Sequence, residues 1–332
     1  MFDFTLIALP GSYGTSVAAT LDILRCAEQL APHVKAPVPR WRVCSLTGRR
    51  VRLQSGLIVE AEPLVVSDDD TSTWILPGLG LTSPRQIDDY LKRPEVKKFA
   101  ASMRKHIERG GRVAAGCSAV FLLAAAGLTE RRRVTTTWWL AARLQELNAS
   151  CQVDSARMVC DDGPVVTAGA AFAQTDLMLH LLRSLSGAPL AERVSRFLIL
   201  DSRVAQSPYV VPDVLALGDQ LIEQIIRFID RSLPSVPSVP ELADYCCMSE
   251  RTLGRHVRRA TGKSPLALIQ SVRVRKARQL LEQSRLSVEQ IAEAVGYVDA
   301  TALRRLMRKA TGANPGRYRP GLFDRSSMTE NA

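Results

Sequence analysis

The chain has 332 residues, with 44 lysines and arginines against 33 acidic residues and a formal net charge of +11. This length predicts about two domains, each able to bury its own core. No apolar run approaches the roughly 20 residues that span a bilayer, and Met1-Phe2-Asp3-Phe4 lacks the basic start of a signal peptide. We therefore expect a soluble cytoplasmic protein without a membrane partner.

Seven cysteines are scattered along the chain, and no set of them has the spacing of zinc ligands. An odd number without such spacing argues against a disulfide framework and against a zinc site. We expect neither a metal nor a cofactor. The adjacent pair Cys246-Cys247 is expected to pack in a core or a turn.

The first 200 residues alternate predicted strands with predicted helices. Apolar runs bounded by Pro and Gly predict the strands, and amphipathic stretches predict the helices. The strands are 4–9, 41–46, 73–76 and 112–115, and the helices are 17–30, 95–109 and 116–126. This alternation predicts an α/β domain at 1–200, with a flavodoxin-like parallel sheet covered on both faces.

The segment Gly116-Cys117-Ser118, called the elbow below, is where a predicted strand turns sharply into a helix. An elbow holds one side chain above the carboxyl edge of the sheet, beside the free N–H groups of the helix start. Ligands of α/β sheets bind at that edge. The Gly-rich loop Gly78-Leu79-Gly80 also follows a strand, so we expect a ligand pocket there.

The alternation of strands and helices ends near residue 201. The pairs Ser207-Pro208 and Val211-Pro212 predict that residues 201–216 form a linker. An amphipathic helix at 217–229 begins an all-α domain, which we assign to 217–320. The polar tail 321–332 is expected to be frayed.

The second domain contains one unit twice. Matches at an offset of 50 residues join Leu253, Arg255, Arg258 and Pro265 to Leu303, Arg305, Arg308 and Pro315. Leu242-Ala243 matches Ile291-Ala292 at an offset of 49. The one-residue slip is therefore expected in the turn between the two parts of the unit.

Each copy has the pattern of a helix-turn-helix, with a short helix, a tight turn and a second amphipathic helix. Ser249 and Asp299 are expected to cap the second helices, because their side-chain oxygens can accept from unpaired N–H groups. Apolar residues four apart share one face of each helix and leave the arginines on the other. These apolar pairs are Leu253 with Val257 and Leu303 with Met307.

The positive charge is concentrated in the repeated segment. From Glu250 to Pro320 there are 16 lysines and arginines against five acids, whereas the rest of the chain has 28 of each. The whole net charge therefore belongs to the segment with the two helix-turn-helix units. Such a distribution is typical of a module that neutralises DNA phosphates.

This segment closely resembles the DNA-binding domain of the AraC/XylS family of transcription regulators. The resemblance includes both copies, the helix between them at 265–282 and the stretch from Gly296-Tyr297 to Arg319. It implies double-stranded promoter DNA and RNA polymerase as partners, a homodimer, and activation in response to a small nitrogen-containing metabolite. Leu303 and Met307 replace the usual Phe of the family, and both remain apolar.

Residues 1–200 resemble the DJ-1/PfpI branch of the class I glutamine amidotransferase-like fold, in the version fused to an AraC-type domain. The resemblance rests on the elbow and on three later motifs at 132–138, 161–169 and 175–181. It makes Cys117 the position of the family's nucleophile. The family's enzymes often place His where this chain has Ser118 and Thr137, and an acid where it has Ser16.

Cysteine catalysis needs a thiolate, a base within hydrogen-bond reach and a group that orients the base. None of the four histidines is well placed for this role. His33 lies in a Pro-rich loop, His106 on a surface-like helix, His180 inside an apolar helix as a core residue, and His256 on the first DNA-binding helix. We therefore expect no catalytic residue, with Cys117 only a vestigial nucleophile position.

A pocket remains in which backbone N–H groups can hold a carboxylate. Cys117 is expected to be a wall of this pocket or, as an alternative, a redox switch. The predicted pocket residues are Gly78, Leu79, Gly80, Cys117, Ser118 and Thr137.

Residues near the start of a recognition helix reach base edges, and later ones reach phosphates. Arg251, Thr252 and Arg255 are therefore the predicted readers of the first helix, and Arg304 is the main predicted reader of the second. Arg308 and Lys309 are expected to contact phosphates. The full predicted DNA-binding set is Arg251, Thr252, Arg255, Arg258, Arg259, Thr301, Arg304, Arg308 and Lys309.

The sequence thus predicts a DNA-binding transcription regulator, controlled by a small metabolite in a non-catalytic domain. One alternative is a cysteine hydrolase or amidase tethered to DNA through the second domain. The other is a regulator whose first domain only dimerises.

Overall fold

The computed structural model describes residues 2–46, 48–67, 69–201, 203, 205–206, 219–311 and 314–319, without the side chains of 309–311 and 317. The chain divides into two compact units, Met1–Gln206 and Ser207–Ala332. The first unit therefore runs six residues past the predicted domain end at 200. Residues 207–216 of the predicted linker, the predicted tail and the Lys309 side chain lie outside the description.

Seven strands form the central sheet of the first unit, in the order β10-β11-β7-β6-β1-β2-β5. The strands are β1 Phe4–Ala8, β2 Trp41–Ser45, β3 Arg50–Arg52, β4 Ile58–Glu60, β5 Glu62–Pro63, β6 Thr73–Leu76, β7 Arg112–Gly116, β8 Arg133–Val134, β9 Gln152–Val153, β10 Val159–Asp162 and β11 Val165–Ala168. Five neighbouring pairs of the sheet are parallel, and only β10 with β11 is antiparallel. The predicted mostly parallel sheet is confirmed, with an added antiparallel edge strand. Gly163, at φ +66°, permits the tight turn into β11.

Both faces of the sheet are buried, as the alternation predicted. Phe4 and Leu6 of β1 pack into one core, whereas Ile7 packs into the other. On β6, Ile75 joins the first core and Trp74 the second. Because successive side chains of a strand point to opposite faces, each strand supplies both cores.

Helices cover the two faces. The helices of this unit are α1 Gly14–Leu30, α2 Pro84–Leu91, α3 Pro94–Glu108, α4 Val120–Ala125, α5 Ala141–Leu147, α6 Gln174–Ser186 and α7 Ala188–Phe197. α1, α6 and α7 contribute to the first core, and α2 to α5 to the second.

The described part of the second unit is helical. Its helices are α8 Gln220–Ser232, α9 Val239–Tyr245, α10 Glu250–Thr261, α11 Pro265–Gln283, α12 Val288–Ala294 and α13 Ala300–Thr311. α9 with α10 and α12 with α13 form the two predicted helix-turn-helix units, and α11 is the predicted helix between them. Within the described residues, no helix combines the length and apolarity that a membrane crossing requires.

Candidate nucleic-acid interface and elbow pocket

The first recognition helix is α10. Ser249 caps it, because its hydroxyl accepts a hydrogen bond from Thr252 N at 3.2 Å. Leu253 and Val257 are fully buried and fix the inner face. The predicted readers Arg251 and Arg255 and the predicted contacts Arg258 and Arg259 are all exposed, and Thr252 is half-buried. These side chains therefore form one accessible basic face.

The second recognition helix, α13, repeats this construction. Asp299 accepts hydrogen bonds from Thr301 N and, at 3.1 Å, from Ala302 N, which confirms the predicted cap. These bonds, with that from Ala302 N the largest cause, lower the pKa of the Asp299 carboxyl. Leu303 and Met307 are fully buried, so their apolar side chains pack as predicted.

The turns of the two units begin with the same backbone geometry. Cys247 and Gly296 both have a left-handed backbone, at φ +52° and +78°. Their N–H groups donate to Asp244 O at 2.9 Å and Glu293 O at 2.8 Å. The second turn then has one extra residue, Val298, which is fully exposed. The slip between the copies therefore falls in the turn, as predicted.

The repeat adds a candidate reader that the sequence analysis missed. Arg305 occupies the place of Arg255 at the 50-residue offset, whereas the predicted reader Arg304 occupies the place of Gly254. Arg304 also donates to the Glu289 carboxylate at 2.9 Å. Arg305 is exposed. A cleft of 420 Å³ beside α13 is lined by Thr301, Arg304, Arg305, Arg308 and Asn314. The offset itself was the signal that identifies Arg305.

A single arginine of α11 holds the turn before the second recognition helix. Arg273 donates to Val295 O at 2.8 Å and to Gly296 O at 2.6 Å. Its guanidinium also lies 3.5 Å from the centroid of the Tyr297 ring. A Cβ on Gly296 would collide with Pro234 O. The second turn is thus fixed between α11 and the Pro-rich loop that precedes α9.

In the first unit, β1, β6, β7 and β11 run parallel side by side, so their carboxyl ends meet at one edge of the sheet. The elbow follows β7 at this edge. Cys117 has φ +53°, which is uncommon for a residue with a side chain. Ser118 Oγ donates to Leu79 O at 2.6 Å, and a Cβ on Gly78 would lie 2.7 Å from Cys117 Cβ. Only glycine fits at position 78 without displacing the elbow.

Burial raises the pKa of the Cys117 thiol to about 11. The polar groups of Ser118, Thr137 and Ala171 beside the sulfur oppose this rise but do not cancel it. The thiol is only 1% exposed. Since the thiolate is the nucleophile, the resting Cys117 side chain is the unreactive form.

Two buried oxygens near the elbow have no hydrogen-bond partner of good geometry among the described residues. They are Thr137 Oγ1, which faces the thiol, and Gln174 Oε1, which would be 2.9 Å from a Cβ on Gly116. Buried polar atoms are normally paired. These two are therefore candidates for contact with a bound molecule.

Two further side chains, Tyr13 and Gln54, lie beside the predicted pocket residues and were missed by the sequence analysis. A Cβ on Gly78 would lie 3.5 Å from the Tyr13 ring, and burial together with Cys117 raises the pKa of Tyr13. The predicted pocket residue Gly80 packs against Gln54, which follows β3. No sequence pattern identifies Tyr13 or Gln54, because both residues lie far from the elbow along the chain.

Two predictions about the histidines are wrong. His106 is buried, not on a surface: it stacks on Trp74 at 4.1 Å and its Nε2 lies 2.8 Å from Ser72 O. His180 is half-buried instead of in the core, and it bonds Asp161 at 2.7 Å. In the described part of the chain, none of the four histidines is hydrogen-bonded to Cys117. That part also contains no group of three or more potential metal ligands.

Two family models match separate parts of the chain. The DJ-1/PfpI family model matches residues 40–184, and a model described as Helix-turn-helix domain matches residues 242–321. A crystal structure of a THiJ/PfpI family protein from Pseudomonas syringae has a TM-score of 0.51 at 16% identity, covering 69% of this chain and 88% of that one. This likeness supports the fold alone.

Two relatives match nearly the whole chain. The HTH-type transcriptional regulator GbdR of Pseudomonas aeruginosa is 26% identical over 325 residues, covering 96% of this chain and 82% of that protein. The HTH-type transcriptional regulator CdhR of the same organism is 27% identical over 328 residues, covering 96% and 92%.

The fold and the paired basic helices define a DNA-binding transcription regulator. More particularly, the chain joins a DJ-1/PfpI family domain to a helix-turn-helix domain, the same pairing as in the AraC-type regulators that it resembles.

Proposed function

We propose that this regulator binds promoter DNA with α10 and α13 in successive major grooves, about 34 Å apart along one face of the duplex. The observation that carries this is the matched pair of helices, each with a buried apolar face and exposed arginines on the other. Arg251, Thr252, Arg255 and Arg305 would read bases. We further propose a cytoplasmic homodimer that recruits RNA polymerase.

This arrangement is tested by selecting bound duplexes from a random pool with the full-length chain and footprinting the selected operator. Two protected segments about one helical turn apart are expected for each bound subunit. A single protected segment of about five base pairs would contradict the proposal. Mapping the protected sites in the genome then identifies the controlled genes.

We propose that the elbow pocket binds a small effector and catalyses no reaction. The support is the buried thiol of Cys117, whose pKa is about 11, and the absence of a histidine partner for it among the described residues. A triad without its base loses most of its rate. The pocket instead offers the N–H groups of Ser118 and Ala171, which suit a carboxylate oxygen.

The two unpaired oxygens, Thr137 Oγ1 and Gln174 Oε1, indicate which functional groups the effector carries. Gln174 Oε1 can only accept, so it suits an N–H or O–H donor, whereas Thr137 Oγ1 can donate or accept. A small molecule with both a carboxylate and an amine would satisfy both kinds of group. We therefore propose an amino-acid-like metabolite as the effector.

A thermal-shift screen of small carboxylates, amines and amino acids tests this proposal. A true effector raises the melting temperature and changes operator affinity, because it binds the folded state and couples to DNA. Gly78→Ala, whose added methyl would press on Cys117, should abolish the shift, whereas Gln152→Ala on the exposed β9 serves as control.

The screen also separates the two alternatives. Turnover of an amide or ester that disappears in Cys117→Ser would establish the hydrolase. No stabilising compound, together with a dimer that binds the operator at full affinity, would establish a first domain that only dimerises.

A further inference from the structure

The last described residues of the first unit are tied into its interior. Arg203 N donates to Asp176 Oδ1 at 2.8 Å, and its guanidinium lies 2.6 Å from Asp176 Oδ2. Ala205 forms a β-bridge with Arg157. The described residues Arg203 and Ala205 are therefore anchored to the interior of the first unit.

Among the described residues of this segment, Gln206 is the most buried, with only 2% of its surface exposed. Its Nε2 donates to Thr136 O at 2.9 Å and to Arg157 O at 3.0 Å. Its Oε1 accepts from Ala170 N at 3.0 Å, and a Cβ on Gly169 would collide with its side chain. Gln206 thus bridges two loops of the first unit.

Both of these loops contact the elbow directly. Thr136 Oγ1 donates to Cys117 O at 2.7 Å, and Cys117 N donates to Gly169 O at 2.7 Å. Two residues further along the second loop, Ala171 directs its N–H at the thiol. Gln206 is therefore connected to Cys117 through one residue of each loop, Thr136 in the first and Gly169 in the second.

We propose that Gln206 is the positioning residue through which occupancy of the elbow pocket changes DNA binding. The proposal rests on the proposed effector function of that pocket. A molecule that moves Thr136 or the 169–171 loop must break or shift the hydrogen bonds of Gln206. The reason is that a packed and fully hydrogen-bonded side-chain amide cannot move independently of its partners. Gln206 is also the residue after which the chain passes to the second unit.

Coupling between two sites acts in both directions, so operator DNA must change the elbow if the elbow changes DNA binding. The readout is the rate at which iodoacetamide alkylates Cys117, followed by mass spectrometry of its peptide. The buried thiol reacts only when the elbow opens, so this rate reports the elbow without any known effector. The probe is the operator duplex that the wild-type full-length chain selects from a random pool.

In the wild-type chain, saturating operator should change the Cys117 rate by about fivefold or more, the lower end of usual allosteric coupling. In Gln206→Met, which keeps the volume and removes the hydrogen bonds, the ratio should fall to about one. Ala170→Pro should lower it as well, because it removes one donor to Gln206. Position 170 has φ −63°, the angle that proline adopts, and the proline ring would push away the Gln206 Oε1 that now accepts from Ala170 N at 3.0 Å, so this variant breaks the same hydrogen bond from the other partner.

Arg203→Ala is the matched control. It loosens the same segment at Asp176 without touching Thr136 or Ala170, so the ratio should persist. A ratio of one in the wild-type chain, an unchanged ratio in both test variants, or an equal loss in Arg203→Ala would each overturn the assignment to Gln206.

Failure of this proposal is distinguishable from failure of the proposed effector function. A compound that stabilises the chain and changes operator affinity equally in wild type and Gln206→Met would support the effector and overturn the role of Gln206. Loss of the alkylation ratio in the variants, with no stabilising compound in the screen, would support the coupling and contradict the effector.

Discussion

Replacing Arg273 by alanine should weaken the hold of the second recognition helix on DNA and leave the first unaffected. The change removes two hydrogen bonds from a charged donor, at 2.8 and 2.6 Å, and the contact with the Tyr297 ring. Such hydrogen bonds contribute about 1.5 to 3 kcal/mol each, and a half-exposed cation–π contact about 1 kcal/mol. Because water replaces part of these contacts, we expect the turn to be held in place less stably by about 3 kcal/mol. This loss sets an upper limit of roughly 150-fold on the weakening of DNA binding by α13.

The assay is a quantitative footprint on the selected operator. In Arg273→Ala, protection of one half-site should require about 10-fold to 150-fold more protein, whereas protection of the other is unchanged. Lys276→Ala removes one positive charge from the same helix and controls for charge alone. Operators with the half-sites moved apart by one base pair should be penalised in wild type and tolerated in Arg273→Ala. Equal weakening of both half-sites, or no weakening, would refute the positioning of α13 by Arg273.

Four further predictions concern other residues. Arg255→Ala and Arg305→Ala should each cost about 1 to 3 kcal/mol on the operator and relax preference at one base pair, which binding to base-substituted operators measures. Arg308→Ala should weaken operator and random DNA alike and reduce the slope of log affinity against log salt by about one, as salt titrations would show. Cys117→Ser should leave operator affinity within about twofold, since serine keeps the backbone hydrogen bonds of the elbow to Thr136 and Gly169; a larger loss by titration would contradict this. Burial lowers the pKa of His106 below its usual 6.5, so the unfolded chain takes up a proton at a higher pH than the folded chain does. The free energy of unfolding should therefore decrease as pH falls below about 6.5, by up to about 1.4 kcal/mol per pH unit. Melting curves from pH 7.5 to 5.5 test the sign, and His106→Leu should show a weaker dependence on pH.

The two candidate readers of α13, Arg304 and Arg305, come from different kinds of sequence signal. Arg304 was chosen because it lies near the start of the helix, which is a local criterion. Arg305 is identified instead by the internal repeat, because two copies with the same fold place corresponding residues at the same position on their helices. The ion pair of Arg304 with Glu289 depends on a residue 15 positions earlier on another helix, and no local pattern contains it.

The sequence by itself determined the features that depend on neighbouring residues. The strand and helix alternation, the caps at Ser249 and Asp299 and the buried faces of α10 and α13 all follow from spacing within a few residues. The doubled unit and the slip in its turn were equally readable, because an internal repeat is found by comparing the sequence with itself.

Only the tertiary structure decided the features that depend on distant segments. The burial of His106 beside Ser72, the pKa of about 11 for the Cys117 thiol and the hydrogen bonds of Gln206 to Thr136 and Ala170 each join positions more than 30 residues apart or depend on what surrounds them in space. Burial and hydrogen-bond partners are properties of the packed chain, and no periodicity records them. The sequence therefore determined the class of protein, whereas packing decided how the elbow is held and which distant segment it contacts.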